Sequence, residues 1–202
     1  TAVTNATHAS AEFKGNQTAT TYSATNLNSK YVYYWRVDEV ASGGTVTKGD
    51  TWSFRPRRLA YPGALGYGRW CQAGRYGEVV EVTNLNDSGE GSLRDACLNH
   101  TGPRVIVFRV GGVIALNSKI QLMGGTGNIY IAGQTAPGNG ITVTRYSFGP
   151  YGTDDVMIRH VRLRVGDYAG ESLDGMGLSS CDHCLIDHCT ISWCIDVAHN
   201  SL

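Results

Sequence analysis

The chain has 202 residues, 42% hydrophobic and 17% charged, and its 17 basic residues balance 17 acidic ones. That is enough apolar material for one or two domains with a core, and it excludes a global basic field that would draw the protein to nucleic acid or anionic membrane. No apolar run approaches the ~18 residues needed to cross a bilayer, and 26 glycines are a density expected of a turn-rich, all-β protein.

Residues 1–58 differ in pattern from the remainder of the chain. Thr18–Tyr22 is a short strand candidate. Lys30–Asp38 alternates, with Tyr31, Tyr33, Trp35 and Val37 on one face and Val32, Tyr34, Arg36 and Asp38 on the other. Ser42-Gly-Gly44 is a turn, and Thr51-Trp-Ser-Phe54 supplies a last strand. Through Asn26-Leu-Asn-Ser-Lys30, Tyr34-Trp35-Arg36-Val37 and Trp52-Ser53-Phe54, this stretch resembles the C-terminal half of a fibronectin type III domain. The resemblance implies a partial β-sandwich over residues 1–55, with its inner face uncovered and a spacing or adhesion role. Residues 56–60, from Arg55-Pro-Arg-Arg-Leu59, read as a short basic linker.

Glu78–Thr83 alternates as a strand. Ser92, with Asp95 three residues on, is a helix-start signal, and Leu93, Ala96 and Cys97 fall on one face of the short helix it predicts. Next come short β-branched runs behind Gly, Asn and Asp turns: Val105–Phe108, Ile129–Ile131, Ile141–Val143, Val156–Ile158 and Leu185–Ile186. Four of them begin at 105, 129, 156 and 185, in steps of 24, 27 and 29 residues. A strand-bearing repeat of that length marks a solenoid. No helical pattern long enough to join parallel strands intervenes, so loop-joined coils of a parallel β-helix are expected, with the helix as a lid on its open end. A β-sandwich is the competing architecture.

Six cysteines, Cys71, Cys97, Cys181, Cys184, Cys189 and Cys194, leave three readings open: buried apolar thiols, one disulfide, or zinc near Cys181-x-x-Cys184 with His183 and His188. Asn5, Asn16, Asn86 and Asn99 head glycosylation sequons.

Several motifs then occur in order: Pro62-Gly-Ala-x-Gly-x-Gly68, Val82-Thr-Asn-Leu-Asn-Asp-Ser-Gly-x-Gly-Ser-Leu-Arg-Asp-Ala96, Pro103-Arg-Val-Ile-Val-Phe108, Gly112-Val-Ile114, Ile131-Ala-Gly-Gln-Thr-Ala-Pro-Gly138, Ile158-Arg-His-Val-Arg-Leu-Arg164 and Ile186-Asp-His-Cys-Thr-Ile-Ser-Trp193. Over residues 61–202 the chain resembles the pectate lyase superfamily, polysaccharide lyase family 1 and its bacterial relatives. The resemblance implies a right-handed parallel β-helix. It also implies secretion, and β-elimination of an acidic plant-type polysaccharide, assisted by calcium. A monomer with no nucleic-acid or membrane partner is expected.

Carried over by motif, Asp174 in Leu173-Asp-Gly-Met176 and Asp196 in Trp193-Cys-Ile-Asp196 are the calcium ligands implied, with Asp167 or Glu171 as a third. Val197 stands where the family often has a second acidic residue. Arg162 and Arg164, with Arg159, offer a positive strip to a polyuronate. Asp187 and His188 are expected beneath the cleft as structure, His160 to stack on His188, and Asn128 and Asn139 to make turns. The family's catalytic base, an arginine, falls on coils after the Ser-Trp segment, and no residue up to Leu202 matches it. The chain opens on Thr1 in a polar stretch and stops at Leu202 just after a strand-and-turn unit. A fragment without activity of its own is therefore expected.

Overall fold

The computed structural model describes residues 2–200 and divides into two compact units, 1–58 and 59–202. The first holds a one-turn helix α1 (Ala2–Asn5) and strands β1 (Tyr33–Trp35), β2 (Glu39–Val40), β3 (Val46–Thr47) and β4 (Trp52–Phe54). Antiparallel β1 and β4 set Tyr33 opposite Phe54 and Trp35 opposite Trp52, while β2 and β3 form a hairpin around the Ser42–Gly44 turn. The Arg36 guanidinium donates to the carbonyls of Val3, Thr4 and Ala6 and to both Asp38 oxygens.

Thr18–Tyr22 is not a strand: these residues are exposed and no neighbouring segment pairs with them. Among the described residues of this unit only Ser29 is buried, and no second sheet covers the aromatic face. Two separate two-stranded ladders stand where the resemblance implied part of a sandwich. A two-stranded ribbon is too thin to make a core without another layer.

The second unit is a parallel solenoid. It opens with β5 (Glu78–Val82) and α2 (Leu93–Leu98), and each later coil carries three short strands. These are β6 (Arg104–Phe108), β7 (Gly112–Ala115) and β8 (Ile120–Leu122); β9 (Ile129–Ala132), β10 (Ile141–Thr144) and β11 (Phe148–Pro150); β12 (Val156–Arg159), β13 (Val161–Arg164) and β14 (Met176–Gly177); and β15 (Leu185–Asp187), β16 (Thr190–Ser192) and β17 (His199–Asn200). First strands stack as β5-β6-β9-β12-β15 and second strands as β7-β10-β13-β16. The third side is made by β8-β11 and β14-β17. Every pairing in this unit is parallel, which settles the choice against a β-sandwich.

Alternate residues of each strand point inward, and like sits on like. Ile106, Ile131, Ile158 and Ile186 form one column through four coils, the first three fully buried; each such burial contributes about 2 kcal/mol. The pairing corrects two of the three repeat steps. Arg104 stands opposite Ile129 and Met157 opposite Leu185, steps of 25 and 28, while Ile129 opposite Val156 keeps 27. Arg104 is the reason for the first slip, because a fully buried arginine occupies an inward position that an apolar count passes over.

That arginine also fastens the lid. Its guanidinium donates to the carbonyls of Ala96, Cys97 and Gly102, ending α2. At the other end the Ser92 hydroxyl accepts from the Asp95 amide at 3.1 Å, the expected N-cap. Asp95 in turn accepts from the Gly91 amide rather than from Ser92. Leu93, Ala96 and Cys97 are buried against the end of the solenoid core, as their shared face predicts.

Candidate functional site

The corner between the second and third sides carries the two aspartates singled out in the sequence. The Gly175 amide donates to Val197 O at 2.9 Å and the Asp196 amide to Leu173 O at 3.5 Å. Asp174 and Asp196 therefore sit on successive coils of one flank, one residue out of step. Gly175 is needed between them, since a Cβ there would lie 2.5 Å from Ala198 O and 2.3 Å from Ile191 Cγ2. Burial pushes the Cys194 thiol pKa up, the Asp174 charge adds to this, and Arg164 opposes it.

Asp167 lies exposed in the loop after β13, and Glu171 in that loop is 3.9 Å from Lys119. Among the described residues no three His, Cys, Asp or Glu side chains converge as a metal cluster, so Asp167 is not brought together with the other two. Calcium takes about 6–8 oxygens. The backbone bonds put Asp174 and Asp196 on one flank, and two carboxylates are fewer oxygens than calcium requires. They do not form a closed protein cage.

Arg162 and Arg164 are half-buried at the alternate, outward positions of β13, on the coil that carries Asp174. Arg162 Nε donates to Thr142 Oγ1 at 2.9 Å and its Nη2 to Asn139 O. Arg164 Nη1 donates to Leu163 O and Thr190 O at 2.8 and 2.9 Å. Among the described residues neither forms an ion pair. Both are held in place by carbonyls and hydroxyls, and their charge is not cancelled by a carboxylate.

The five-stranded side presents the opposite case. Arg159 Nε meets Asp187 Oδ2 at 2.6 Å, His188 Nδ1 lies 2.8 Å from the same oxygen, and the guanidinium sits 4.0 Å over the Tyr61 ring. Burial pushes the Asp187 carboxyl up, but hydrogen bonds from His188, Arg159 and Tyr61 outweigh it and hold the group below the usual range. His160 stacks on His188 with ring centroids 4.8 Å apart, as expected. Burial first, then Arg159 and His188, lower its pKa. Beside this network the 59–73 segment packs on the sheet through a small second core of Cys71, Ala73 and Met157, with Tyr61 against it. Asn128 is a turn residue with φ +62°, and Asn139 lies in a turn.

All six cysteines are free thiols. Burial pushes Cys71, Cys97 and Cys184 up to about 12, which makes them poor thiolates.

The sequence reading missed Arg145 and Tyr168. The Arg145 guanidinium lies 4.2 Å over the Tyr168 ring. The two come from different coils, so only the register joins them.

No family model matches the sequence. The chain is 43% identical over 140 residues to a protein named probable pectate lyase C of Aspergillus flavus, covering 69% of this chain and 32% of that one. A namesake in Aspergillus oryzae is 42% identical over the same length. A putative pectate lyase 2 of Arabidopsis thaliana is 30% identical over 182 residues, covering 74% of this chain and 44% of that protein. The chain thus spans about a third of the fungal relatives' length. Among solved structures, that of Jun a 1, the major allergen from cedar pollen, matches with a TM-score of 0.57 at 18% identity. The match covers 68% of this chain and 44% of that one, and it shows a shared fold.

Proposed function

We propose that this chain is the substrate- and cation-holding part of a secreted, pectate lyase-like enzyme acting on pectate. The observation that carries the proposal is the flank on which Asp174 and Asp196 lie on successive coils beside arginines without carboxylate partners. Similarity to proteins named pectate lyase supports it. In the reaction a base takes the proton next to a uronate carboxylate. The freed electron pair forms a C=C bond, and the glycosidic oxygen departs with the neighbouring sugar. Calcium held by Asp174, Asp196 and the substrate would neutralise that carboxylate and acidify the proton. Arg162 and Arg164 hold further carboxylates of the polymer by charge-assisted hydrogen bonds. No residue of this stretch is assigned as the base, so residues 1–202 alone are expected to bind without cleaving.

The test is to incubate the whole protein with polygalacturonate and calcium and follow the ultraviolet absorbance of the unsaturated product. Absorbance that rises with calcium and stops on chelation supports the proposal; no product from any uronan defeats it.

A second reading, a non-catalytic polysaccharide-binding or adhesion protein, is favoured by Val197, an apolar neighbour of Asp196 that is 42% exposed. Retention of the whole protein on a pectin column through chelation, without product, would select it.

A further inference from the structure

The corner after the second side, which carries the two aspartates, also holds residues the proposed reaction leaves without a role: Arg145, Tyr168 and Trp193, the last beside Arg164. Arg145 and Trp193 occupy one column of the solenoid, two coils apart, with buried Val165 between them. Both have left-handed backbones, φ +78° and +61°, which non-glycine residues rarely adopt and which cluster at functional sites. Each belongs to a cation–π pair. Arg145 lies over Tyr168, which Tyr146 meets edge-on at 6.5 Å, and Arg164 lies 5.8 Å from the Trp193 ring.

The rings are open to solvent, Tyr168 at 61% and Trp193 at 74%. Neither arginine's charge is cancelled, although Arg164 spends three of its five N–H groups on Leu163 O, Thr190 O and Thr190 Oγ1 and keeps two for a ligand. Among the described residues neither Arg145 nor Arg164 has an ion-pair partner. The polar contact of Arg145 is Asn117 Oδ1 at 3.5 Å, a long one. Stacking occupies the face of a guanidinium and leaves its N–H edge for a carboxylate.

We propose that these two pairs form an arginine–aromatic ladder that binds an acidic oligosaccharide along the solenoid axis. Each aromatic ring takes a pyranose face, and each guanidinium edge takes the uronate carboxylate beside it. Two coil spacings separate Arg145 from Trp193 by about 9–10 Å, so a single sugar does not fill the ladder and an oligomer does. The ladder rests on the reading of the chain as a uronan-binding protein, but it requires no metal, unlike the Asp174 and Asp196 flank.

The test is calorimetric titration of tetragalacturonate into the 202-residue chain in chelator, with Trp fluorescence read in parallel. Binding without calcium is expected, with a change in Trp emission. Arg145→Ala and Trp193→Ala should each weaken it about tenfold, the worth of one charge-assisted contact, and Arg145→Lys should recover part of the loss. Circular dichroism and the unfolding midpoint establish that each variant is folded, and Arg145→Lys answers the question if Arg145→Ala is not. Fully methyl-esterified tetragalacturonate should bind at least tenfold more weakly. Unchanged affinity in folded Arg145→Ala or Arg145→Lys, or equal binding of the ester, overturns the ladder. Binding that needs calcium and is lost in Asp174→Asn overturns the ladder while sparing the proposed function. No binding with or without calcium removes both.

Discussion

Two faces of one solenoid carry outward arginines, and the difference between them lies in their neighbours. On the five-stranded side Arg159 is enclosed by Asp187, the Tyr61 ring and the β-sheet, with its side chain 18% exposed. At the other corner Arg145, Arg162 and Arg164 have hydroxyls, carbonyls and aromatic rings around them but no carboxylate among the described residues. The same residue type is therefore a structural rivet in one place and an uncancelled charge in the other. Arg104, inside the core, is a third case, a donor to three carbonyls.

These differences predict a graded set of outcomes. Arg104→Ala should destabilise most, by about 3–5 kcal/mol, because it orphans buried carbonyls and leaves a cavity; urea unfolding reads this directly. Arg159→Ala should cost about 2–3 kcal/mol, since it strands the half-buried Asp187 charge.

The acid response comes from the same network. Asp187 is held below the usual carboxylate range, so its contribution is fully present above about pH 4 and is lost as pH falls through its folded value. Asp187→Asn should flatten stability against pH in that acid window and leave the neutral slope alone. A variant as acid-sensitive as the parent would show that the network does not set the response.

Arg162→Ala should move stability by less than about 1 kcal/mol while weakening tetragalacturonate binding. A large loss of stability would erase the contrast between the two faces. Val197→Asp, which places a third carboxylate beside Asp196, should tighten calcium binding by calorimetry. An unchanged affinity would place the ion elsewhere.

The solenoid was legible from the sequence because β-branched runs at nearly constant steps have few other uses. Its register was less so. Counting from the first apolar residue assumes that apolar means inward, and Arg104 breaks that assumption. The two-residue strands Met176–Gly177 and His199–Asn200 are too short to leave any periodicity. Asp174 and Asp196 were found through motif resemblance, and their common flank is a consequence of coil stacking. Arg145 and Tyr168 left no signal, since a ring and a cation 23 residues apart meet only when the coil closes. In residues 1–58 the alternation of Lys30–Asp38 is real, but the ribbon has no opposing sheet to make it a core.

The central claim is that stacked coils turn two distant aspartates into one cation-assisted binding flank. Calorimetry of tetragalacturonate with and without calcium, on the parent chain and on Asp174→Asn, tests it most directly. Calcium should tighten binding to the parent about tenfold and do nothing for the variant. Equal enhancement in both proteins, or none in the parent, would contradict it.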